Sequence, residues 1–391
     1  MSFAQLQINQ NQWRSAGQRL IEMAIAEFLY EEIIQAESLD NDVFQLRLDD
    51  RIYQFNAQQY LLGHWQIQEG SVRDLNLDTR RPAWNLHQFI AAFSNQVGVK
   101  PFTKAYLIKE MNNTWLAEAH VLDENRLTSA AALTAPHYQI EAMLRGHPWL
   151  IMSKGRIGFG YDDYLNSAPE ILPRVKVLWL AVHRDLAEFR STTEWYAGQL
   201  YCHEFGEQEL LEFREKMQNL ALNSEDYYLV PVHAWQWHQW IVPTYANEIV
   251  DQKIVELKIG QDNYVPMQSI RTLCNTSDAQ RHYIKLPVSI LNTAVYRGLP
   301  AQRNLAAPAV TAWLKNILKQ DMDLQKTGVV FLGEIATLTI QQPCYDHIEG
   351  APYQFKELFG CLWRESVDPF VEYHQQVLSQ AALLHLSLIH I

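Results

Sequence analysis

Cysteine is scarce and scattered. Cys202, Cys274, Cys344 and Cys361 are the four in 391 residues, and no two form a Cys-x-x-Cys pair. A disulfide framework or a zinc ribbon is therefore not expected, and a reducing compartment fits. Long apolar runs are missing as well, since none reaches the ~20 residues that cross a bilayer. The opening MSFAQLQINQNQWRSAGQ lacks the basic start and apolar core of a secretory signal. The expectation is a soluble, cytoplasmic protein. Positive charge is in deficit: 32 Lys and Arg face 44 Asp and Glu, for a net charge of −12. Phosphate polymers and anionic lipid surfaces are held by basic faces, so neither nucleic acid nor membrane is an expected partner. Also absent are a Walker loop, G-x-G-x-x-G, a nucleophile elbow and His-Glu-x-x-His. The common phosphate cradles and metal hydrolases lose weight.

Apolar side chains are abundant. They make up 48% of the chain, with 12 Trp and 18 Tyr, enough for large cores and deep clefts. The length exceeds one ordinary core and points to two or three domains. Residues 12–36 carry Trp13, Leu20, Ala24, Phe28 and Ile33 at helical spacing. VFQLRLDDRIYQFNA reads as a hairpin, LHQFIAAFSNQV as a helix, TWLAEAHVL as a strand and 136–145 as a helix. From 147 to about 340 short alternating segments dominate, with helices at 207–220 and 308–319. Strand and helix do not alternate regularly, so a mainly antiparallel sheet is expected. After Pro352, YQFKELFGCLWRES and DPFVEYHQQVLSQAALL read as helices. The ending AALLHLSLIHI carries no charge and reads either as a segment packed inside or as a chain cut within a domain.

Cations and hydroxyls sit on segments that read as strands. In SKGRIGFG, Lys154 and Arg156 alternate onto one side of an extended chain, and the glycines permit close approach. A solvated strand edge guarded by lysine would look the same. In SIRT, Ser269, Arg271 and Thr272 put two hydroxyls and a guanidinium on one strand. A polar strand face competes with a carboxylate or phosphate site there. In IKLPVSILNTAVYR, Lys285, Thr293 and Arg297 interrupt apolar sequence, and a lysine among Ile, Leu and Pro needs an anion. Taken together in an acidic chain, these segments suggest a pocket for triphosphate or a polycarboxylate. The histidines of PVHAWQWHQW read first as packing residues. Glu372 and His374 in EYHQQ read as a surface helix or as a shared ligand site.

The ordered set GHP, KGRIGF, APE, PVHAWQ, SIRT, K-LPVSI-N-T-A-x-x-R and E-x-H-x-Q, spread over about residues 130–376, resembles the siderophore synthetases that work independently of nonribosomal peptide synthetases, the aerobactin-synthetase-like family. The resemblance implies an α+β cupped-hand fold. Its parts would be a mixed thumb at 1–145, an antiparallel fingers region with the ATP motifs at 146–345, and the start of a helical palm at 346–391. It implies a ligase for siderophore biosynthesis. Such enzymes use ATP and Mg²⁺ to adenylate a carboxylate of citrate or a derivative, then pass it to an amine or hydroxylamine. The amine would be a polyamine or a hydroxamate-bearing amine, and KGRIGFG leans toward free citrate.

By the same resemblance, Ser269, Arg271, Thr272, Lys285, Arg297, Lys154 and Arg156 would contact ATP. His147, Thr293, Arg297 and His374 would hold the substrate carboxylate. Arg297, Lys285 and His374 would be catalytic, and Glu372 would meet the metal. A homodimer is implied too, with the Trp-rich stretch 235–240 as a candidate interface. Departures from the family pattern are Leu150-Ile151 for a second His-Pro, Ala234 for Pro, and Val377 for Asn. The rest of the palm, with its Arg-Asp motif and acidic metal ligands, does not follow. The competing expectation is a truncated or degenerate relative that binds nucleotide or polycarboxylate without turnover.

Overall fold

The computed structural model describes residues 5–40, 42–77, 82–122, 131, 135–144, 150–293 and 295–367. His147, Glu372 and His374 lie outside the described residues. The chain divides into two compact units, each considered by itself. The first comprises Met1–Thr128, Met143–Phe159 and Leu291–Val295; the second comprises Ser129–Ala142, Gly160–Ile290 and Tyr296–Ile391.

In the first unit, helix α1 (Gln10–Tyr30) starts at an Asn9 capping box, in which Asn9 and Gln12 each bond the other's backbone N–H. An antiparallel meander follows: β1 (Ala36–Asp40), β2 (Val43–Leu48), β3 (Arg51–Gln59) and β4 (Trp65–Ile67), with β5 (Arg73–Asp74) also on β3. The expected hairpin is β2–β3, turning at Asp49 with φ 52°. Helices α2 (Leu86–Gln96) and α3 (Pro101–Val121) complete the unit. TWLAEAHVL is therefore helix and not strand. It continues a helix begun by Pro101 at its first position, and Met111, Trp115 and Ala119 supply buried contacts one turn apart. The core gathers Leu20, Ile25, Leu46, Phe55, Phe89 and Trp115. Trp13 stacks on Trp115 with centroids 4.1 Å apart, and Trp115 Nε1 donates to the Trp13 carbonyl at 2.7 Å.

The second unit opens with the short helices α4 (His137–Ala142) and α5 (Tyr161–Ser167). Its strands are β6 (Val177–His183), β7 (Ala187–Ser191), β8 (Tyr227–His233), β9 (Ile254–Ile259), β10 (Tyr264–Pro266), β11 (Thr272–Asn275), β12 (Tyr283–Lys285), β15 (Glu334–Ile340) and β16 (Gly360–Arg364). Between β12 and β15 run β13 (Val288–Asn292) and β14 (Val295–Arg297), paired as a two-stranded sheet. The order β8-β6-β9 makes one sheet and β10-β11-β12-β16-β15-β7 another. Every pair with a described register is antiparallel, as expected. Long helices α6 (Ala197–Asn219) and α7 (Ala301–Gln320) flank the strands. Val177–Val182 are all buried, in a core shared with Phe213, Ile284, Leu338 and Trp363.

The segment 353–366 corrects the helical reading. It holds one 3₁₀ turn at Tyr353–Phe355 and then β16, which pairs with β12 and β15. Gly360, at φ 154°, enters the strand where an added Cβ would meet the Leu338 carbonyl at 2.8 Å. A central strand buried on both faces resembles a helix in its local pattern, and its partners are remote in sequence.

Candidate functional site

Of the cations singled out in the second unit, Lys285 lies on β12, Arg271 just before β11 and Arg297 on β14. Thr272 on β11 faces Lys285 on β12. Tyr283, two residues before Lys285 and hence on the same face, pairs with Arg364, which pairs in turn with Glu334 on β15. Lys285 Nζ reaches Glu334 Oε1 at 3.4 Å, and the Arg364 guanidinium lies 5.0 Å over the Tyr283 ring.

Ser269 and Arg271 are not on a strand, which corrects the extended reading of SIRT. Residues 267–272 form a tight turn. The Ile270 N–H donates to the Met267 carbonyl at 2.7 Å, and Ile270 is left-handed at φ 63°. Ser269 Oγ donates to Thr272 Oγ1 at 2.8 Å and accepts from the Thr272 N–H at 3.2 Å. The turn joins the hydroxyls and points the chain into β11. Arg271 donates from Nη1 to the Gly298 carbonyl, while its buried Nε has no hydrogen-bond partner among the described residues. Gly298 is required there, because a Cβ would come 2.5 Å from the Glu357 Cβ.

The electrostatics mark a strained cluster of positive charge. Burial pushes the Arg271 guanidinium down to about 10, and the neighbouring Arg297 charge pushes the same way, against Glu357 and Glu334. Burial also lowers Arg297. Lys285 is lowered first by burial and further by Arg271 and Arg364, against the pull of Glu334. Glu357 is raised by burial, which Arg271 and Arg303 oppose. Three cations whose charged forms are disfavoured in one place make a site that an anion would relieve.

Supporting contacts hold the cluster. Glu141 Oε1 accepts the Gln268 N–H at 2.8 Å, and Gln268 Nε2 donates to the Glu141 carbonyl at 2.9 Å. His137 reaches Glu141 Oε2 at 3.2 Å. Helix α4 thus braces the residue just before Ser269. Gln236, from PVHAWQ, is buried, donating to Ser289 Oγ and the Leu358 carbonyl, each at 2.9 Å, and accepting the Ser289 N–H at 2.8 Å. His233 and Trp237 of the same segment are buried, in keeping with a packing role. The sequence reading missed Glu141, Glu334, Glu357 and Arg364. Only spatial neighbours distinguish these from the many other charged residues.

In the first unit, SKGRIGFG is not a strand. Residues 151–154 are turns, and only Ile157 makes a bridge, to Leu291. Lys154 is 1% exposed and donates from Nζ to Glu118 Oε1 at 2.8 Å. It is neither a solvated strand edge nor an unpaired cation. Gly155 serves internal packing, since a Cβ there would approach Glu110 Cγ at 2.9 Å. Arg156 is buried and left-handed at φ 40°, and its N–H donates to Asn292 Oδ1 at 3.2 Å. Thr293, also left-handed at φ 53°, donates from Oγ1 to the Asn292 carbonyl at 2.7 Å. Lys154, Arg156 and Thr293 belong to this unit, whereas Ser269, Arg271, Thr272, Lys285 and Arg297 belong to the other. No helix among the described residues is long and apolar enough to cross a membrane.

Comparison with known proteins agrees with the architecture. The chain is 36% identical over 374 residues to the rhizobactin siderophore biosynthesis protein RhbF of Rhizobium meliloti, covering 95% of this chain and 62% of that protein. It is 32% identical over 380 residues to putrebactin synthase of a Shewanella species, covering 95% of this chain and 60% of that one. The solved aerobactin synthetase IucC of a hypervirulent Klebsiella pneumoniae superposes with TM-score 0.80 at 25% identity, over 95% of this chain and 64% of that chain. The chain thus spans about three fifths of the length of these curated relatives. Residues 137–385, the stretch running from the brace of α4 through all the cation-bearing strands, match the IucA / IucC family, and the chain belongs to that family.

Proposed function

We propose that this chain works in siderophore biosynthesis as an ATP-dependent acid–amine ligase. Its acid would be citrate or a citrate derivative, and its nucleophile a polyamine, a hydroxamate-bearing amine or a hydroxylamine. In the first step a carboxylate oxygen attacks the α-phosphorus, the bond to the bridging oxygen breaks, and pyrophosphate leaves with the electron pair. In the second step the amine nitrogen attacks the acyl carbon, loses a proton, and AMP departs with its oxygen.

The observation that carries this reading is the half-buried cluster of Arg271, Lys285 and Arg297, cations that share partial desolvation and, at Arg271 and Lys285, the repulsion of a neighbouring cation, both of which a bound anion would offset. Arg271 and Lys285 would hold phosphate oxygens, with Ser269 and Thr272 as neutral donors. Arg297 would lie where nucleotide and acid meet and offset charge that builds during displacement. Thr293 is proposed for the carboxylate. For Arg156 a nucleotide contact rests on the resemblance, as it does for Lys154, whose ammonium is already engaged by Glu118.

Magnesium would neutralise phosphate charge when bound. Magnesium takes only one or two protein carboxylates beside substrate phosphates, and Glu334 and Glu357 next to Arg271 are carboxylates that could supply them. Glu372, which the resemblance assigns to the metal, lies outside the described residues.

The test is hydroxylamine trapping. With ATP, Mg²⁺ and citrate, the expected products are a citryl hydroxamate and pyrophosphate. Absence of both, with ATP still bound in calorimetry, would select nucleotide binding without turnover.

A further inference from the structure

A second polar cluster lies elsewhere in the second unit and takes no part in the chemistry proposed above. His203 and Glu204 occupy the first turns of α6, just before the helix breaks at Gly206 with φ 73°. His282 immediately precedes β12. Glu204 Oε1 is 3.0 Å from His203 Nδ1 and 2.7 Å from His282 Nδ1. Each residue offers one ligand atom, and the three lie within 4.8 Å of one another.

We propose that His203, Glu204 and His282 form a binding site for a transition-metal dication of the zinc type. Two imidazoles and one carboxylate are a donor set that zinc takes, with a fourth position left for water. Tetrahedral bonds of about 2.0–2.1 Å put ligand atoms roughly 3.3 Å apart, so the two His–Glu spacings would widen by about 0.3 and 0.6 Å on binding.

The environment supports an ion. Glu204 is 1% exposed, and its Oε2 is buried with no hydrogen-bond partner among the described residues, although both histidines crowd the other oxygen. Buried carboxylate oxygens are rarely left unsatisfied, and a bound cation would satisfy this one. Trp195 stands edge-on to His203 and His282, at 5.3 and 5.1 Å, and closes one side. His203 is about one third exposed, which leaves an entry path and room for water. Nearby Arg281 is ion-paired with Asp262 and Asp278 and so opposes a dication little. A bound ion would tie α6 to the start of β12, three residues before Lys285.

The sequence could not show this site. His203 and Glu204 are adjacent, His282 is 78 residues from Glu204, and no standard spacing links them. The test uses the whole chain after chelator treatment, titrated with ZnCl₂ alone in a calorimeter, with MgCl₂ as the contrast. One zinc per chain and a rise in melting temperature are expected, with no comparable uptake of magnesium. Cobalt(II) in place of zinc should give the visible absorption of a tetrahedral site. H203A, at a part-exposed position, should weaken zinc at least about tenfold and remove the cobalt band. E204Q should also weaken it while keeping the shape of the side chain. No zinc uptake by the wild-type chain, or equal uptake by H203A, would overturn the proposal. Neither readout depends on ATP or citrate, so loss of ligase activity has no bearing on it.

Discussion

Thr272 and Lys285 stand directly opposite each other in the β11–β12 ladder, so the sheet register itself places a hydroxyl beside an ammonium. Arg364 and Glu334 enter the same neighbourhood through β16 and β15. A slip of one residue in any of these strands would send its side chains to the other face. The positions of Lys285, Arg364 and Glu334 are therefore a property of the sheet, whereas Arg271 depends on the turn before β11 and Arg297 on β14.

Lys285→Ala should weaken ATP binding by about 10- to 100-fold, the value of one charge-assisted contact of roughly 1.5–3 kcal/mol. Its effect on folding should be small, because the pair with Glu334 is partly exposed and worth at most about 1 kcal/mol. Calorimetric affinity and the urea midpoint, measured on the same variant, check the two halves. A large fall in the midpoint with unchanged affinity would contradict the assignment.

The buried pair of Lys154 and Glu118 makes the opposite prediction. Lys154→Met alone leaves a carboxylate in the core and should cost about 3–5 kcal/mol. The double variant K154M/E118L removes both charges and should recover most of that loss. Denaturant unfolding of the two singles and the double gives the coupling. Retained ATP affinity in the double variant would show that the pair serves structure alone.

Much of this was legible in the sequence, and the failures share a cause. The hairpin at Asp49-Asp50, the α1 and α2 helices and the strand-rich, antiparallel character of 147–340 followed from local periodicity and turn residues. SIRT was legible as chemistry but not as shape. Its alternation looks like a strand, while the left-handed Ile270 and the Ser269–Thr272 hydroxyl bond make it a turn. SKGRIGFG misled for a related reason. With Lys154 and Arg156 two positions apart, the pattern says extended, but Glu118 lies 36 positions away and takes Lys154 into the core. Glu141, Glu334 and Arg364 became visible only when distant segments were brought together.

His233 sets a pH limit on stability. Burial pushes its imidazole down to about 4, against a small opposing effect of Asp163. The unfolded chain takes up a proton near 6.5 and the folded chain does not until near 4, so stability falls as pH drops through that window. The loss amounts to roughly 3 kcal/mol at the lower end. His233→Asn, which keeps an acceptor for the Trp235 N–H, should flatten this part of the profile. Urea midpoints from pH 7 to pH 4 for both proteins measure the difference. Equal slopes would assign the proton uptake elsewhere.

Glu141 separates positioning from contact. Its Oε1 accepts the Gln268 N–H, its carbonyl accepts Gln268 Nε2, and His137 holds its other oxygen. None of these groups is proposed to touch a ligand, yet together they fix the turn that carries Ser269 and Arg271. Glu141→Ala removes the acceptor and leaves a buried N–H unsatisfied, at a cost of about 1–3 kcal/mol. Part of that cost should appear as a loosened turn, and ATP affinity should fall about tenfold as the site pays to order it again. Glu141→Gln keeps an acceptor oxygen and should restore most of the affinity. Hydrogen exchange at residues 267–272 should accelerate in the alanine variant and return toward the wild-type rate in the glutamine variant. If exchange accelerated without any change in ATP affinity, the turn would not be part of the nucleotide site, and Ser269 would lose its role with it.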